Sequence, residues 1–314
     1  MRILFSCVGR RVELVQSFRD AAKHLGMELE IWGTDITSTA PALYFCDHTC
    51  LVPRISEKSY VPTIVRICAE NDINLLIPTI DTDLLLLAEN KALFGKTKVL
   101  ISDPRKIAIC RDKRLTADYF HSVGLKSPAP TDDVRNYHDG FPAFIKPKDG
   151  SSSIFAYKAE DRDALEEFTK QVPDYIIQPF IEGTEYTVDV LCDLEGNPLL
   201  ITPRIRSAVR AGEVLKTEIR QDDTIIAEIK QLLLDYRPCG AITIQLIRDN
   251  QTGQDYYIEI NPRFGGGAPL AMKAGANSAE MVLRMLNGET LTYAEKAAED
   301  GAIFSRFDQS VRVK

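Results

Sequence analysis

The first hundred residues alternate short apolar runs with amphipathic segments, and this alternation constrains the fold more than any other feature of the chain. Apolar runs typical of β-strands cover 2–8, 28–34, 49–52, 74–78 and 98–102. The apolar spacing of helices covers 13–25, 61–71 and 84–92. Strands that alternate with helices predict a parallel sheet with helices on both faces. We therefore expect a Rossmann-like domain over residues 1–105.

The carboxyl ends of these strands are the expected ligand side of the domain, because open parallel sheets bind ligands there. They carry Ser6–Arg11, Asp35 and Thr79–Asp83. The first turn has only Gly9 where a dinucleotide-binding fingerprint needs three glycines, so an NAD- or FAD-dependent oxidoreductase is disfavoured. The charged residues at these strand ends are candidates for substrate recognition: Arg10, Asp35, Asp81 and Asp83.

The pattern of the chain changes near residue 103. Asp103 followed by Pro104 predicts a helix start, with the carboxylate as the cap and the proline in the first turn. Strands are predicted at 143–146 and 154–157, on either side of a glycine-serine turn, and strand patterns dominate the last part of the chain. The predicted fold class is therefore α/β (α+β), and we divide the chain beyond the first domain into 106–183 and 184–314.

The overall charge restricts the classes of partner. The chain has 45 Asp and Glu against 38 Lys and Arg, a formal net charge of −7. Broad binding to nucleic acid or to anionic membranes needs basic surface, so both are disfavoured. The seven cysteines are odd in number and scattered, which favours reduced thiols, and the apolar runs are too short to span a bilayer. We expect a cytoplasmic protein that binds neither nucleic acid nor membrane, with a homodimer as the default oligomer.

Three polar residues interrupt otherwise apolar strands in the last third of the chain: Gln245, Glu259 and Asn261. Glu259 and Asn261 are two positions apart, so they share a strand face. A carboxylate in an apolar strand is costly unless it is paired or bound to a cation, and such oxygen ligands suit Mg²⁺. Arg263, two positions further on, can neutralise developing phosphoryl charge. The alternative is that these residues form the solvent faces of two antiparallel strands.

Two earlier segments have features of a nucleotide site. Lys146 ends a predicted strand and precedes small residues whose N–H groups can close over an anion. The alternative is an ordinary hairpin with a solvated lysine. The strand at 178–185 can offer its backbone N–H and C=O groups to an adenine edge, and Glu185 can accept hydrogen bonds from ribose hydroxyls. The alternative is a linker with exposed acids.

Two further segments are candidates for binding a substrate anion. The run 264–268 contains Gly266 and reads as a flexible glycine-rich loop before a helix N-terminus, a suitable place for a carboxylate, although it can also be a simple turn. A basic cluster lies nearby in the sequence: Arg204, Arg206, Arg210 and Lys216. Arg204 and Arg206 share a strand face, and the alternative is a solvated basic surface.

Taken in order, these segments resemble the ATP-grasp superfamily. They are most similar to one synthetase half of the carbamoyl phosphate synthase large subunit, from the Rossmann-like domain to about residue 290. The most specific piece is the run from Glu259 to Arg263, Glu-Ile-Asn-Pro-Arg. The resemblance implies that a two-subdomain ATP-grasp fold follows the Rossmann-like domain.

The resemblance also implies roles for individual residues. Those that would contact the ATP phosphates are Lys113 and Lys146, under a lid formed by Asp149, Gly150, Ser151, Ser152 and Ser153. Those that would line the adenine pocket and hold the ribose are Gln178, Phe180, Ile181 and Glu185. The ligands of one or two Mg²⁺ ions, or of Mn²⁺, would be Gln245, Glu259 and Asn261. The catalytic residues would be Lys146 and Arg263, and Arg263 would stabilise the transferring phosphoryl group.

The implied activity is an ATP- and Mg²⁺-dependent ligase that joins a carboxylate to an amine or ammonia through an acyl phosphate. Such chemistry needs positioning and charge neutralisation more than a protein nucleophile. The chain has one synthetase half only, and it has Lys146 where carbamoyl phosphate synthase favours an arginine, so the resemblance describes homology rather than carbamoyl phosphate synthesis. The alternatives are a phosphotransferase on the same scaffold and a non-catalytic ATP-binding regulatory module.

Overall fold

The computed structural model describes residues 1–150 and 154–313, and within these ranges the chain forms three β-sheets flanked by helices. The predicted lid residues Ser151, Ser152 and Ser153 lie outside the described residues. The sheets occupy separate stretches of the chain, 2–99, 143–179 and 183–305. The α/β (α+β) fold class is confirmed.

The first sheet is parallel, as the alternation of strands and helices predicts. Its strands are β1 (Arg2–Ser6), β2 (Glu30–Asp35), β3 (His48–Leu51), β4 (Leu75–Pro78) and β5 (Lys98–Val99), in the order β3-β2-β1-β4-β5. The helices are α1 (Val12–His24), α2 (Tyr60–Glu70) and α3 (Leu84–Glu89). Helix α1 packs in the core on one face of the sheet, and α2 and α3 pack in the core on the other. The strand order reverses between β1 and β4, where parallel sheets bind ligands.

Two short helices lead out of this domain: α4 (Pro104–Arg111) and α5 (Lys113–Ser122). The predicted start at Pro104 is confirmed, because the side chain of Asp103 accepts a hydrogen bond from the backbone N–H of Lys106, 3.2 Å away. This cap satisfies a backbone donor that the first turn of a helix leaves without a partner.

The second sheet is small and antiparallel. It consists of β6 (Ala143–Pro147), β7 (Tyr157–Ala159) and β8 (Tyr175–Pro179) in the order β7-β6-β8, with α6 (Arg162–Thr169) packed on it. The predicted strand at 154–157 is wrong in position, because β7 begins only at Tyr157. Phe155 has a φ of +57°, a left-handed conformation that a strand cannot contain.

The third sheet has six strands in the order β13-β12-β9-β10-β11-β14, with antiparallel pairing throughout. The strands are β9 (Gly183–Cys192), β10 (Pro198–Arg210), β11 (Glu213–Ile219), β12 (Ala241–Asp249), β13 (Asp255–Asn261) and β14 (Ile303–Ser305). The helices are α7 (Asp223–Tyr236), α8 (Ala268–Lys273) and α9 (Ser278–Leu286). Helices α5 and α7 cover one face with an apolar core, and the opposite face carries the polar residues of the strands.

A β-bulge in β13 decides which side chains reach that polar face. Gln245 pairs with Glu259 but Leu246 pairs with Tyr257, so Ile258 is an extra residue. Tyr257 and Ile260 are both buried in the core beneath α7. Glu259 therefore points to the opposite face, although regular alternation would put it on the same face as Tyr257.

The first domain packs against the third sheet through α1, α8 and α9. These helices contribute to one continuous core, in which the ring of Phe18 meets the ring of Phe264 edge-on at 5.8 Å. Phe264 directly follows Arg263, so this contact brings the carboxyl ends of β1 and β4 next to the end of β13. Across residues 1–150 and 154–313, no helix has the length and apolar character needed to cross a membrane, and the cysteines there are free thiols.

Candidate active site

The structure brings the three predicted metal ligands together on the polar face of the six-stranded sheet. Gln245 and Glu259 are cross-strand partners. The amide of Asn261 donates to Glu259 Oε1 at 2.8 Å, and Gln245 Oε1 accepts from Arg206 Nη1 at 2.8 Å. One carboxylate and two amide side chains form a small oxygen-rich set of the kind that suits Mg²⁺.

Lys146 lies at the end of β6, buried, and faces this set. Burial lowers the pKa of Lys146 to about 8, Glu259 opposes that shift, and Lys113 adds to it. Lys146 of the small sheet therefore interacts electrostatically with Glu259 of the large sheet. Lys113 Nζ also donates to the carbonyl of Gly150 at 2.9 Å, so it contacts the start of the predicted lid.

The predicted adenine and ribose residues follow the chain from the small sheet into β9. Gln178 is buried, and its amide donates to the carbonyl of Pro128 at 2.6 Å. The ring of Phe180 lies 4.8 Å from Lys158 Nζ. Glu185 is half-exposed, and its carboxylate is 3.5 Å from Arg206 Nη1. Ile181 is partly buried, whereas Asp149 and Gly150 are exposed. The nucleotide roles of these residues remain predictions.

Arg263 joins the oxygen-rich set to the first domain. Its Nη2 donates to Asp81 Oδ2 at 2.6 Å and to Asn261 Oδ1 at 3.2 Å, and Nη1 donates to the carbonyl of Phe264 at 3.3 Å. Its Nε is buried and has no hydrogen-bond partner among the described residues. The contact with Asp81 brings one predicted substrate residue from the Rossmann-like domain into the site.

The glycine-rich run packs directly onto polar side chains of three strands. A Cβ on Gly265 would lie closer than 3.0 Å to Thr243, one on Gly266 to Glu213, and one on Gly267 to Arg204. None of these three glycines has a positive φ. They are therefore required by close approach of the backbone to the sheet rather than by chain flexibility.

The predicted arginines divide into two groups. Arg204 is buried and pairs with Asp189 at 2.7 Å, and Arg206 contacts Gln245, so both lie on the polar face as predicted. Arg210 is mostly exposed and pairs with Asp308 at 2.8 Å, away from the oxygen-rich set. Arg10 is also exposed, and it follows Gly9, which has a φ of +47°, just before α1 begins.

Three charged residues that the sequence did not single out converge beside the glycine run: Arg11, Glu213 and Arg306. Arg11 Nη1 is 3.6 Å from Glu213 Oε1, and Arg306 Nη1 is 3.4 Å from Glu213 Oε2. Burial lowers the pKa of Arg11, as does the neighbouring Arg263, and Glu213 opposes both. Arg11 follows the carboxyl end of β1, and that position could have indicated a role in the site. No local sequence pattern marks Glu213 or Arg306.

Two of the predicted substrate residues support the turn after β1 instead. Asp83 is fully buried and accepts hydrogen bonds from Ser6 Oγ at 3.0 Å and Tyr60 Oη at 2.8 Å. Asp35 accepts from the backbone N–H of Gly9 at 2.9 Å. These bonds fix the backbone just before Arg11, which is how the turn directs that side chain toward the third sheet.

Two family models match the chain. One, described as an ATP-grasp domain, covers residues 110–267, and the other, described as a PylC-like N-terminal domain, covers residues 3–101. The predicted resemblance to the ATP-grasp superfamily is confirmed by these matches.

Curated relatives include ligases and a synthase. A D-alanine–D-alanine ligase of Marinomonas sp. is 26% identical over 51% of this chain and 57% of its own length. The carbamoyl phosphate synthase large chain of Thermomicrobium roseum is 23% identical over 62% of this chain and 20% of its own length. The chain thus spans about half the length of the first and a fifth of the second.

A solved structure shares the overall fold. The biotin carboxylase domain of the Hydrogenobacter thermophilus 2-oxoglutarate carboxylase, a dimer in complex with MgADP and bicarbonate, matches with a TM-score of 0.74. The match covers 96% of this chain and 73% of that one at 17% identity, so it shows likeness of fold alone.

Proposed function

Because the chain belongs to the ATP-grasp family, we propose that it is an ATP- and Mg²⁺-dependent ligase that joins a carboxylate to an amine through an acyl phosphate. The observation that carries this proposal is the oxygen-rich set of Gln245, Glu259 and Asn261 opposite the buried Lys146. An oxygen-rich set that interacts with a buried lysine has the chemistry needed for a nucleotide triphosphate and its cation.

The proposed reaction has two steps. A substrate carboxylate oxygen attacks the γ-phosphorus of ATP, and ADP leaves. The amine nitrogen then attacks the acyl carbon, loses a proton and expels inorganic phosphate. When bound, Mg²⁺ would neutralise phosphate charge, with Gln245, Glu259 and Asn261 as its protein ligands.

The chain's own cations would hold the phosphates for the first step. Lys146 is buried, so water screens its charge poorly. A bound phosphate would stabilise the charged lysine in place of the water that burial excludes. Lys113 would contribute from the helix start beside Gly150. Arg263 would stabilise the transferring group, since it already lies against Asn261 and has a buried Nε without a partner among the described residues.

The test is a screen for ADP release over carboxylates and amines with Mg²⁺, followed by the Glu259→Gln variant. We expect this substitution to lower turnover by about a hundredfold or more, because it removes the only carboxylate of the set. Titration with Mg²⁺ and with Mn²⁺ then tests whether one or two ions are used. Folding is checked by circular dichroism.

Glu228→Gln is the matched control. Glu228 accepts a hydrogen bond from Tyr257 Oη at 2.8 Å on the opposite face of β13, so the same substitution there should leave turnover within about twofold. Wild-type activity in Glu259→Gln would contradict the metal assignment. Phosphate that stays on an organic product would indicate a phosphotransferase, and Mg²⁺-independent nucleotide binding without turnover would indicate a regulatory module.

A further inference from the structure

The carboxylate of Glu213 lies between two arginines, Arg11 and Arg306, that the proposed phosphoryl transfer does not use. Glu213 is the first residue of β11, and its Oε1 and Oε2 are 3.6 and 3.4 Å from guanidinium nitrogens of Arg11 and Arg306. The carboxylate lies so close to Gly266 that a Cβ at that position would collide with it. The carboxylate therefore has guanidinium groups on one side and Gly266 on the other, where a Cβ would take the place that the carboxylate occupies.

A third arginine belongs to the same environment. Arg206 Nη2 donates to the carbonyl of Gly212 at 3.0 Å, next to Glu213, while its Nη1 contacts Gln245 of the oxygen-rich set. The three arginines come from distant parts of the chain: the turn after β1, strand β10 and the segment after β14. Side chains of like charge repel one another, and carboxylates offset that repulsion here. Glu213 lies between Arg11 and Arg306, Glu13 is 3.5 Å from Arg306 Nε, and Glu185 is 3.5 Å from Arg206 Nη1.

Glu213 is a loosely bound anion in that position. Both of its ion-pair distances exceed the usual 2.7–2.9 Å of a charge-assisted hydrogen bond. Its side chain is 38% exposed, so water competes with the arginines for its carboxylate. An external carboxylate that met two guanidinium groups at normal distances would bind better than Glu213 does.

Glu213 lies beside the hairpin turn, next to an irregular part of the sheet. Strands β10 and β11 are joined by a two-residue turn, Ala211 and Gly212, both with positive φ. The pairing next to the turn is irregular, with register shifts between Arg206 and Val209. This end of the hairpin also has exposed side chains, including Val209.

We propose that Glu213 is an internal stand-in for a substrate carboxylate, and that Arg11, Arg306 and Gly266 form the subsite that binds this carboxylate once Glu213 moves out. This inference rests on the proposed function only in naming the ligand as a substrate. Ammonia as the amine would leave the subsite without a ligand. An amine that carries its own free carboxylate, or a donor with a second carboxylate, would fill it. An ammonium group of the substrate does not belong there, because the guanidinium groups of Arg11 and Arg306 already flank the position.

The experiment compares the full chain with its Glu213→Gln variant, using propionate as the probe and propionamide as its uncharged analogue. Binding is measured by calorimetry and by the thermal shift that each compound produces. We expect Glu213→Gln to bind propionate about tenfold more tightly than the wild type, because the competing carboxylate is gone while the arginines remain. Propionamide should bind both proteins equally.

Two further variants sharpen the result. Glu218→Gln changes another carboxylate of β11, one that pairs with Arg220, and should leave propionate binding at the wild-type value. Adding Gly266→Ala to Glu213→Gln should cancel the gain, since a Cβ would fill the space that the carboxylate needs. If Glu213→Gln does not fold, Glu213→Asp withdraws the carboxylate by one methylene and should give a smaller gain in the same direction.

Unchanged or weaker propionate binding in Glu213→Gln would overturn the inference, and so would an equal gain for propionamide. The result is independent of turnover. If propionate binding responds as expected but no carboxylate supports ADP release, the ligase proposal fails and the subsite stands. If turnover is found but propionate binding does not respond, only the subsite fails.

Discussion

Asp83 shows how a single residue can support a site without contacting a ligand. Its carboxylate is fully buried under the turn after β1, where Ser6 and Tyr60 donate to it. Burial raises the pKa of Asp83 from 3.8 to about 6, although the hydrogen bonds from Tyr60 and Ser6 oppose this. Between these two pH values the folded protein holds a proton that the unfolded chain has released. Stability should therefore fall as the pH rises through this window.

We predict that Asp83→Asn removes this pH dependence. The amide has nearly the same shape and carries no charge, so the stability of the variant should stay constant between pH 4 and pH 7, whereas that of the wild type should fall by up to about 3 kcal/mol. Urea unfolding at several pH values measures the difference. Asp72→Asn, a change at a side chain that is 90% exposed, is the control and should follow the wild type. Parallel curves for Asp83→Asn and the wild type would show that Asp83 is not the source.

At the scale of secondary-structure elements, Arg248 joins two strands to a helix. On β12 it binds both carboxylate oxygens of Asp255 on β13 at 2.7 Å, and its third nitrogen reaches Asp222 at 2.5 Å. Asp222 also caps α7, by accepting from the backbone N–H of Ile225 at 3.0 Å. Asp255 is buried, so its charge depends on this arginine.

Arg248→Met should destabilise the fold by about 3 kcal/mol or more, because it leaves a buried carboxylate without a partner. Arg210→Met is the matched control: it breaks a pair with Asp308 that is exposed on both sides, and it should cost less than about 1 kcal/mol. Chemical denaturation of both variants gives the comparison. A similar loss of stability in the two variants would mean that the burial of Asp255 does not determine the cost of removing Arg248.

At the scale of the whole molecule, an aromatic row holds the first domain on the third sheet. The rings of Phe5 and Phe18 meet edge-on at 5.3 Å, and Phe18 meets Phe264 at 5.8 Å. The ion pair between Asp81 and Arg263 crosses the same boundary at 2.6 Å. The substrate side of the proposed site depends on this packing, because Arg11 and Asp81 come from the first domain.

We predict that Phe18→Ala impairs the use of the carboxylate substrate more than the use of ATP. The cavity should cost about 3–5 kcal/mol of stability. Looser packing should also raise the KM for the carboxylate at least several-fold more than the KM for ATP, since Lys113 and Lys146 lie outside the first domain. Steady-state kinetics with each substrate varied in turn measures this.

Phe94→Ala is the control for that experiment. Phe94 is buried in the same domain, but in the core on the other face of the sheet, away from α1. It should lower stability without the selective rise in KM. The same selective rise in both variants would mean that general loosening of the domain, rather than its contact with the third sheet, controls the substrate side.

The sequence predicts the parts of this molecule that depend on local pattern. Alternating strands and helices give the first sheet, and the run from Glu259 to Arg263 marks the oxygen-rich set because polar residues there interrupt apolar strands. Periodicity does not predict the bulge at Ile258, which needs the pairing partner to be known. The meeting of Arg11 with Glu213 and Arg306 depends on long-range packing of a turn, a hairpin and the segment after β14, so no local signal could place it.

The glycines at 265–267 have a consequence for how this fold can change its ligand. Each is pressed against a side chain from a different strand, Thr243 on β12, Glu213 on β11 and Arg204 on β10. A Cβ at Gly265 would meet the short side chain of Thr243, and a Cβ at Gly266 or Gly267 would require the end of the Glu213 or Arg204 side chain to move. New selectivity has to come from the strand positions opposite it, and a mutant library confined to 204, 213 and 243 would sample ligand preference while the loop stays constant.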